Sequence, residues 1–182
     1  AGRSWSETGG IARIRAGEGT ASTSGVIHLQ TSNSGSSGCS GELRFSSGFA
    51  ISGNSGSVFL GTSPATGGRG GAITTSVGSG TSGTGGFTRV IAGRSSASSG
   101  GDVNVASGEG TASSSGLVYI STPYANVAGS SGFLIFSSGS ASVGNSGLIR
   151  LGSGATTSGR AGRTIVAVGS GTSGVGSRLS LV

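Results

Sequence analysis

Apolar residues recur two positions apart along this chain, and each pair stands in a short segment between stretches of Gly, Ser and Thr. When the Gly that opens a segment is counted as position 0, the pairs fall at positions +2 and +4. Examples are Ile27 with Leu29 and Leu43 with Phe45. Side chains two apart point to the same side of an extended strand. The pattern therefore predicts short β-strands with one apolar face, separated by turns in which Gly reverses the chain.

The segments recur with a nearly constant period, and we call each interval between them a short repeat. Twelve segments follow one another at a 15-residue spacing, except for two 16-residue intervals. Their opening residues are Gly10, Gly25, Gly41, Gly56, Gly71, Gly86, Gly101, Gly116, Gly132, Gly147, Gly162 and Ser177. Such a period predicts stacked repeats that bury each other's apolar faces. The alternative, a disordered Gly/Ser tract, would need no such register.

The short repeats are grouped into two long repeats. Residues 1–91 align with residues 92–182 without a gap, and 42 of the 91 positions are identical. The 16-residue interval stands at the same place in both long repeats, so each holds six short repeats. We predict an all-β fold, a parallel β-solenoid (β-helix) of 15-residue rungs. Residues 1–91 and 92–182 are its two super-repeats of six rungs.

The two ends of the sequence match each other. The segment that closes at Val182 corresponds to one that runs, in the first long repeat, into the phrase AGRS, and Ala1 opens the same phrase. We therefore expect an end-to-end continuous array, as an excerpt of a longer protein or as a subunit that stacks on further copies.

The number of residues in one coil stays open between 15, 30 and 45. Arg3 and Glu18 both stand at position +8 of successive short repeats, and so do Arg94 and Glu109. A 15-residue coil would stack each pair at about 4.8 Å, which favours that length. The alternative interpretation is that all four are solvated turn charges that contribute little to stability.

The outward positions +1 and +3 carry a second apolar feature in the second long repeat. Three consecutive segments place Leu117, Tyr119, Phe133, Ile135 and Leu148 there. Stacked rungs would align them as an exposed apolar stripe, which usually marks a contact surface. We predict lateral association of solenoids along this stripe. The alternative is that this side faces the interior of a wider coil and is buried as well.

Composition narrows the possible partners. Charged residues make up 9% of the chain, against about 25% in average proteins. The net charge is +6 and every basic residue is Arg, which allows an extracellular polysaccharide as a partner. The Arg residues form no basic run, so we expect no nucleic-acid partner. The sequence lacks an apolar stretch of ~18 residues, so we expect no membrane span.

The sequence does not indicate a catalytic, metal-binding or cofactor-binding site. The chain has one His, one Cys and one Asp, and Tyr119 replaces His28 in the other long repeat. We therefore expect no enzyme, no metal and no cofactor. Residues 78–83 and 169–174 fit G-x-G-x-x-G, but a further turn and a strand follow instead of the helix that phosphate binding needs. Cys39 is interpreted as a small turn residue, with crosslinking of chains as the alternative.

Three phrases between the apolar segments carry a family resemblance. They are GNSG at residues 53–56, VGSGTSG at residues 77–83 and GEGTAS at residues 17–22. With them, the chain resembles the very long Ser/Gly-rich repeat proteins of diatoms and related microalgae. Those are secreted cell-surface, wall or adhesive-mucilage components. The resemblance implies an extracellular location and a structural role, and it carries over no catalytic residues.

The function that the sequence favours is therefore that of a structural extracellular fibre built from stacked solenoid repeats, with an adhesive, cell-wall or mucilage role. The expected partner is a further copy of the chain, end to end and side by side. Two alternatives are an ice-binding solenoid and the shaft of a surface-binding adhesin. Ice binding needs a flat, regular ladder of Thr, whereas the outward positions here are bulky and irregular.

Overall fold

The computed structural model describes residues 9–126, 129–172 and 176–181, and this part of the chain contains neither a helix nor a strand. Its backbone alternates instead between unpaired segments, which carry the apolar pairs, and bends. The predicted parallel β-solenoid, or β-helix, is therefore wrong for the described residues.

The backbone hydrogen bonds of the described residues do not join stacked rungs. In the described part of the chain, three backbone hydrogen bonds are formed, each of 2.9 Å, and each spans an interval of eight residues. The amides of Gly25, Gly101 and Gly116 donate to the carbonyl oxygens of Gly17, Gly93 and Gly108, respectively. A 15-residue coil would instead join equivalent positions of successive short repeats. These bonds close single loops and do not pair neighbouring short repeats.

The described residues also have no buried core. None of them is buried, and the chain as a whole exposes 18450 Å². A compact protein of 17.1 kDa would expose about 7,800 Å². Each short repeat has two to six large apolar side chains, and their burial would have to offset the conformational entropy lost on ordering a whole repeat rich in Gly and Ser. A single chain with this ratio gains too little from burial to order its segments into a sheet.

The bends nevertheless follow the period of the sequence. They recur once in each short repeat, at residues 20–22, 36–38, 51–53, 66–68, 81–83, 96–98, 111–113, 129, 142–144, 157–159 and 172. In six of them the last bend residue is a Gly with a positive φ, between 87° and 132°. These residues are Gly38, Gly53, Gly83, Gly129, Gly144 and Gly159. Only Gly adopts this backbone conformation without strain, so these bends depend on it.

A second kind of loop forms where the last bend residue is Ser. Ser22, Ser98 and Ser113 hold this position in three loops, and no residue there has a positive φ. These three loops are the ones that the backbone hydrogen bonds close. The described loops are therefore of more than one form. Some have a left-handed Gly and some a backbone hydrogen bond between the loop ends, whereas the loop at residues 66–68 has neither and is bridged by the Thr62 hydroxyl.

The preference for Gly at position 0 has a steric reason, because a side chain of the preceding short repeat lies close to this position. At ten such positions, from Gly25 to Gly162, the nearest side chain is that of position +6 in the preceding short repeat. A Cβ on Gly71 would lie 3.0 Å from Cγ2 of Thr62, and one on Gly86 would lie 2.6 Å from Cγ1 of Val77. A larger residue at position 0 would push the two ends of the loop apart.

The extra residue of the 16-residue interval lies within its loop. The Thr31 hydroxyl donates to the Gly41 carbonyl oxygen at 3.1 Å, across ten residues. The Thr62 hydroxyl makes the equivalent bond to Gly71 at 3.3 Å, across nine residues. The loop of the longer repeat therefore absorbs the additional residue and leaves the contact between its ends in place.

The chain divides into two units, Ala1–Arg89 and Val90–Val182, and the boundary lies close to the junction of the long repeats. Most equivalent loops of the two units have the same local form, although Gly159 has a positive φ and its equivalent Gly68 does not. Residues 17–25 and 108–116 are both closed by a hydrogen bond, and Gly53 and Gly144 both have a positive φ. The sequence repetition is thus reproduced in the local backbone of each unit.

Candidate interaction surface

The apolar side chains of the segments fall into two sets that alternate along the backbone. We call the residues at positions +2 and +4 the even set and those at positions +1 and +3 the odd set. Large apolar side chains at position +2 are 46–61% exposed, whereas those at position +1 are 78–89% exposed. At positions +4 and +3 the ranges overlap, at 52–89% and 64–93%. Alternate side chains of an extended backbone point to opposite sides, which explains the difference. Both sets are open to solvent, so the segments present apolar side chains on two sides.

The two sets differ more sharply in charge. Of the 24 positions of the even set, 21 are apolar, three are Thr and none is charged. Of the 24 positions of the odd set, 11 are apolar and eight are charged. The charged members are Glu42, Asp102, Arg13, Arg44, Arg89, Arg150, Arg163 and Arg178. The sequence alone shows this segregation of charge. The predicted solenoid placed the even set in its interior, so the even set was not identified as an exposed surface.

The five residues of the predicted stripe all belong to the odd set. Leu117 and Tyr119 share one segment, Phe133 and Ile135 share the next, and Leu148 lies in the third. Their side chains are 78–89% exposed. They are therefore accessible to a partner, and their role in lateral association stays a prediction.

Of the predicted charge pairs, Arg3 is outside the described residues. Glu18, Arg94 and Glu109 are exposed, and no ion pair joins Arg94 to Glu109. Within the described residues, the ion pair that forms joins Arg44 to Glu42, with 3.0 Å between Arg44 Nη2 and Glu42 Oε1. Both side chains of this pair are well exposed, so it contributes little to stability.

A small apolar cleft of about 280 Å³ lies where two successive short repeats meet. It is lined by Phe45, Val58, Phe59 and Leu60, three of which belong to the even set. The ring of Phe59 lies over a neighbouring backbone position, since a Cβ on Gly61 would be 2.8 Å from Cε1 of that ring. In this cleft the even sets of neighbouring short repeats come close to one another.

A polar cleft of about 380 Å³ lies in the longer loop of the first unit, lined by Gln30, Thr31, Ser32 and Asn33. Beside it, Nε2 of His28 is hydrogen-bonded to Oε1 of Gln30 at 2.8 Å. The His28 ring and the Thr31 hydroxyl already have partners within the chain. The lining of the cleft contains no carboxylate, so it lacks the group that would orient His28 as a base.

Residues that bind metals are dispersed. No group of three or more His, Cys, Asp and Glu residues converges in the described ranges, and Cys39 is an exposed free thiol. A search of the described residues found no helix with the length and apolar character needed to cross a membrane. Comparison of the chain with protein-family models, curated proteins and solved structures gave no match.

Proposed function

We propose that this chain is a structural component of an extracellular fibre or matrix, and that its copies associate through exposed apolar side chains. One observation carries the proposal: apolar side chains recur with a fixed period, yet none of the described residues is buried. Exposed apolar surfaces of this extent are contact surfaces in soluble proteins. A chain that does not cover them itself gains free energy when further copies cover them.

The loops support a structural role as well. Gly and Ser close each loop with small side chains, and the same loop forms recur in both units. Repetition of one local unit is a feature of proteins that build extended assemblies, since each repeat offers the same contacts as the last. The extracellular part of the proposal depends on the resemblance to Ser/Gly-rich cell-surface proteins.

Ice binding has less support than assembly. It needs a regular array of Thr, whereas the even set contains three Thr, at Thr75, Thr88 and Thr164. The odd set alternates bulky apolar residues with Arg and acidic residues. Neither set offers the flat repetitive surface that ice recognition would require.

The proposal is tested by two measurements on the 182-residue chain. Sedimentation velocity over a concentration series, followed by electron microscopy, should detect a transition from monomers to elongated assemblies. Immunogold labelling of intact, unpermeabilised source cells should place the protein on their outer surface. A chain that stays monomeric up to its solubility limit, or one labelled only after permeabilisation, would contradict the proposal.

A further inference from the structure

We infer that the even set forms the contact between copies, so that one chain covers the +2 and +4 side chains of another. This inference rests on the proposed function, since it names the surface through which the proposed assembly forms. The occupant of the surface is a second copy of this chain.

Charge is the first argument for the even set. With no charged residue at 24 positions, two even sets can meet without burying an unpaired charge. The odd set carries six Arg and two acidic residues, a net charge of +4. Two odd sets facing each other would bring like charges together and would desolvate Arg side chains. The even set is therefore the side on which copies can approach most closely.

The available area is the second argument. Each long repeat carries ten or eleven apolar residues in its even set, and the large ones are 46–89% exposed. At roughly 60 Å² for each residue, one long repeat supplies about 600 Å² and both supply about 1,200 Å². A stable interface buries about 800 Å² on each partner. The even sets of both long repeats together exceed this requirement, whereas that of one long repeat falls short of it.

The spacing of the even set is the third argument, and it indicates that the partner is a second copy of the chain. Apolar pairs recur at 15-residue intervals, with one 16-residue interval in each long repeat. A partner that covers several pairs at once must present apolar groups at the same spacing. A second copy meets this condition at every pair, and it meets it again after a shift by one long repeat. The cleft of Phe45, Val58, Phe59 and Leu60 has room for an apolar side chain of such a partner.

The inference is tested with two matched variants, which carry the same substitutions at adjacent residues of the even and the odd set. One variant carries V118D, L134D and I149D, which places three charges in the even set of three consecutive segments. The control variant carries L117D, F133D and L148D, which places the same charges in the odd set of the same segments. We expect the even variant to need at least about a tenfold higher concentration for half-maximal assembly, because each charge would be buried at the contact. The odd variant should stay within about twofold of the unmodified chain.

Local structure is checked in both variants by hydrogen exchange of the Gly116 amide, which donates to the Gly108 carbonyl oxygen next to the first substituted segment. Protection of this amide equal to that in the unmodified chain shows that the loop of residues 108–116 is intact in both variants. A loss of assembly in the even variant then reflects the contact and not a disrupted loop.

Thiol protection gives a second readout. In a C39S background, V118C and L117C each introduce a single thiol on adjacent residues of opposite sets. Assembly should slow the reaction of the first thiol with a maleimide by at least about tenfold and leave the second nearly unchanged. Equal rates for the two thiols in the assembled state would contradict the inference.

The outcomes separate the inference from the proposed function. If the unmodified chain stays monomeric, the proposed function fails and the inference fails with it. If the unmodified chain assembles but the odd variant is the one that loses assembly, the contact lies on the predicted stripe and the inference alone is overturned. It is also overturned if both variants, or neither, lose assembly.

Discussion

At the scale of single residues, the chain's glycines are constrained by two separate physical effects. Gly53 and Gly144 have φ values of 100° and 97°, a backbone conformation that disfavours any side chain. At position 0 the constraint is contact, since a Cβ would meet the +6 side chain of the preceding short repeat. A Gly elsewhere in the same loops, such as Gly48, has neither constraint and tolerates substitution.

The first prediction separates backbone strain from lack of space. G53A should disturb its loop, because Ala in a left-handed conformation costs about 1–2 kcal/mol. G48A should leave the loop unchanged, since nothing lies within 4 Å of the added Cβ and φ there is not positive. Backbone chemical shifts of residues 51–56 measure the effect. Equal shifts in both variants would contradict the assignment of strain to Gly53.

A second prediction concerns the loop of residues 17–25. A Cβ on Gly19 would lie 2.6 Å from the carbonyl oxygens of Ser22 and Thr23, whereas nothing lies within 4 Å of one on Gly17. G19A should therefore open the loop and speed hydrogen exchange of the Gly25 amide, which donates to the Gly17 carbonyl oxygen. G17A should leave this exchange rate unchanged. A protected Gly25 amide in G19A would show that the loop yields without opening.

At the scale of elements, the segments and loops could be predicted from the sequence, but their packing could not. Gly marks position 0 and, in most loops, the last bend residue, so the period locates each bend, and the bends follow it. The period shows which residues are equivalent, but it does not show which residues contact one another. Strand pairing was inferred from equivalence, whereas the contacts that form join position 0 to position +6 across one loop.

The sequence predicted the residues of the candidate surface but not their exposure. The apolar pairs at +2 and +4 are evident in the sequence, but their assignment to a solenoid interior concealed that they are exposed. The charges that avoid the even set were a signal available without any structure. The closing hydrogen bonds of Gly17, Gly93 and Gly108 were not foreseeable, because they depend on how each loop folds back.

The longer loop gives the third prediction. Deleting Ser36 shortens the Thr31–Gly41 interval to the length of the Thr62–Gly71 interval, which supports the same hydrogen bond. The contact between Thr31 and Gly41 should therefore survive the deletion. Nuclear Overhauser effects between the Thr31 methyl group and the Gly41 α-protons measure it. Their loss would mean that the extra residue is needed for the loop to close.

At the scale of the whole molecule, the absence of buried residues in the described part of the chain determines how it responds to heat. Cooperative unfolding with a large heat capacity change comes from exposing buried apolar surface. The described residues have none to expose. Ordering of the dilute chain is thus local, and each loop opens independently of the others.

The fourth prediction follows from this local order. The dilute chain should show no heat-absorption peak in calorimetry, and trypsin should cleave it rapidly at exposed Arg residues such as Arg69 and Arg89. The assembled chain should gain protection, because contacts between copies restrict the backbone. The same protease treatment at concentrations below and above the assembly transition compares the two states. A sharp calorimetric transition in the dilute chain would indicate a core that the structure lacks.

The extra residue absorbed by the longer loop has a consequence for how copies find their alignment. Short repeats are so alike that two paired chains could slide by one of them and still match most apolar pairs. After such a slide, a 16-residue interval opposes a 15-residue one, and the residues are displaced by one until the other copy's 16-residue interval restores the register one short repeat further on. A displacement by one residue exchanges the two sides of the segment, so apolar side chains then meet Arg and acidic residues. The inserted residue therefore favours pairings without this mismatch. An offset by one whole long repeat keeps the overlapping residues in register. Such an offset also leaves one long repeat of each copy free to bind the next copy.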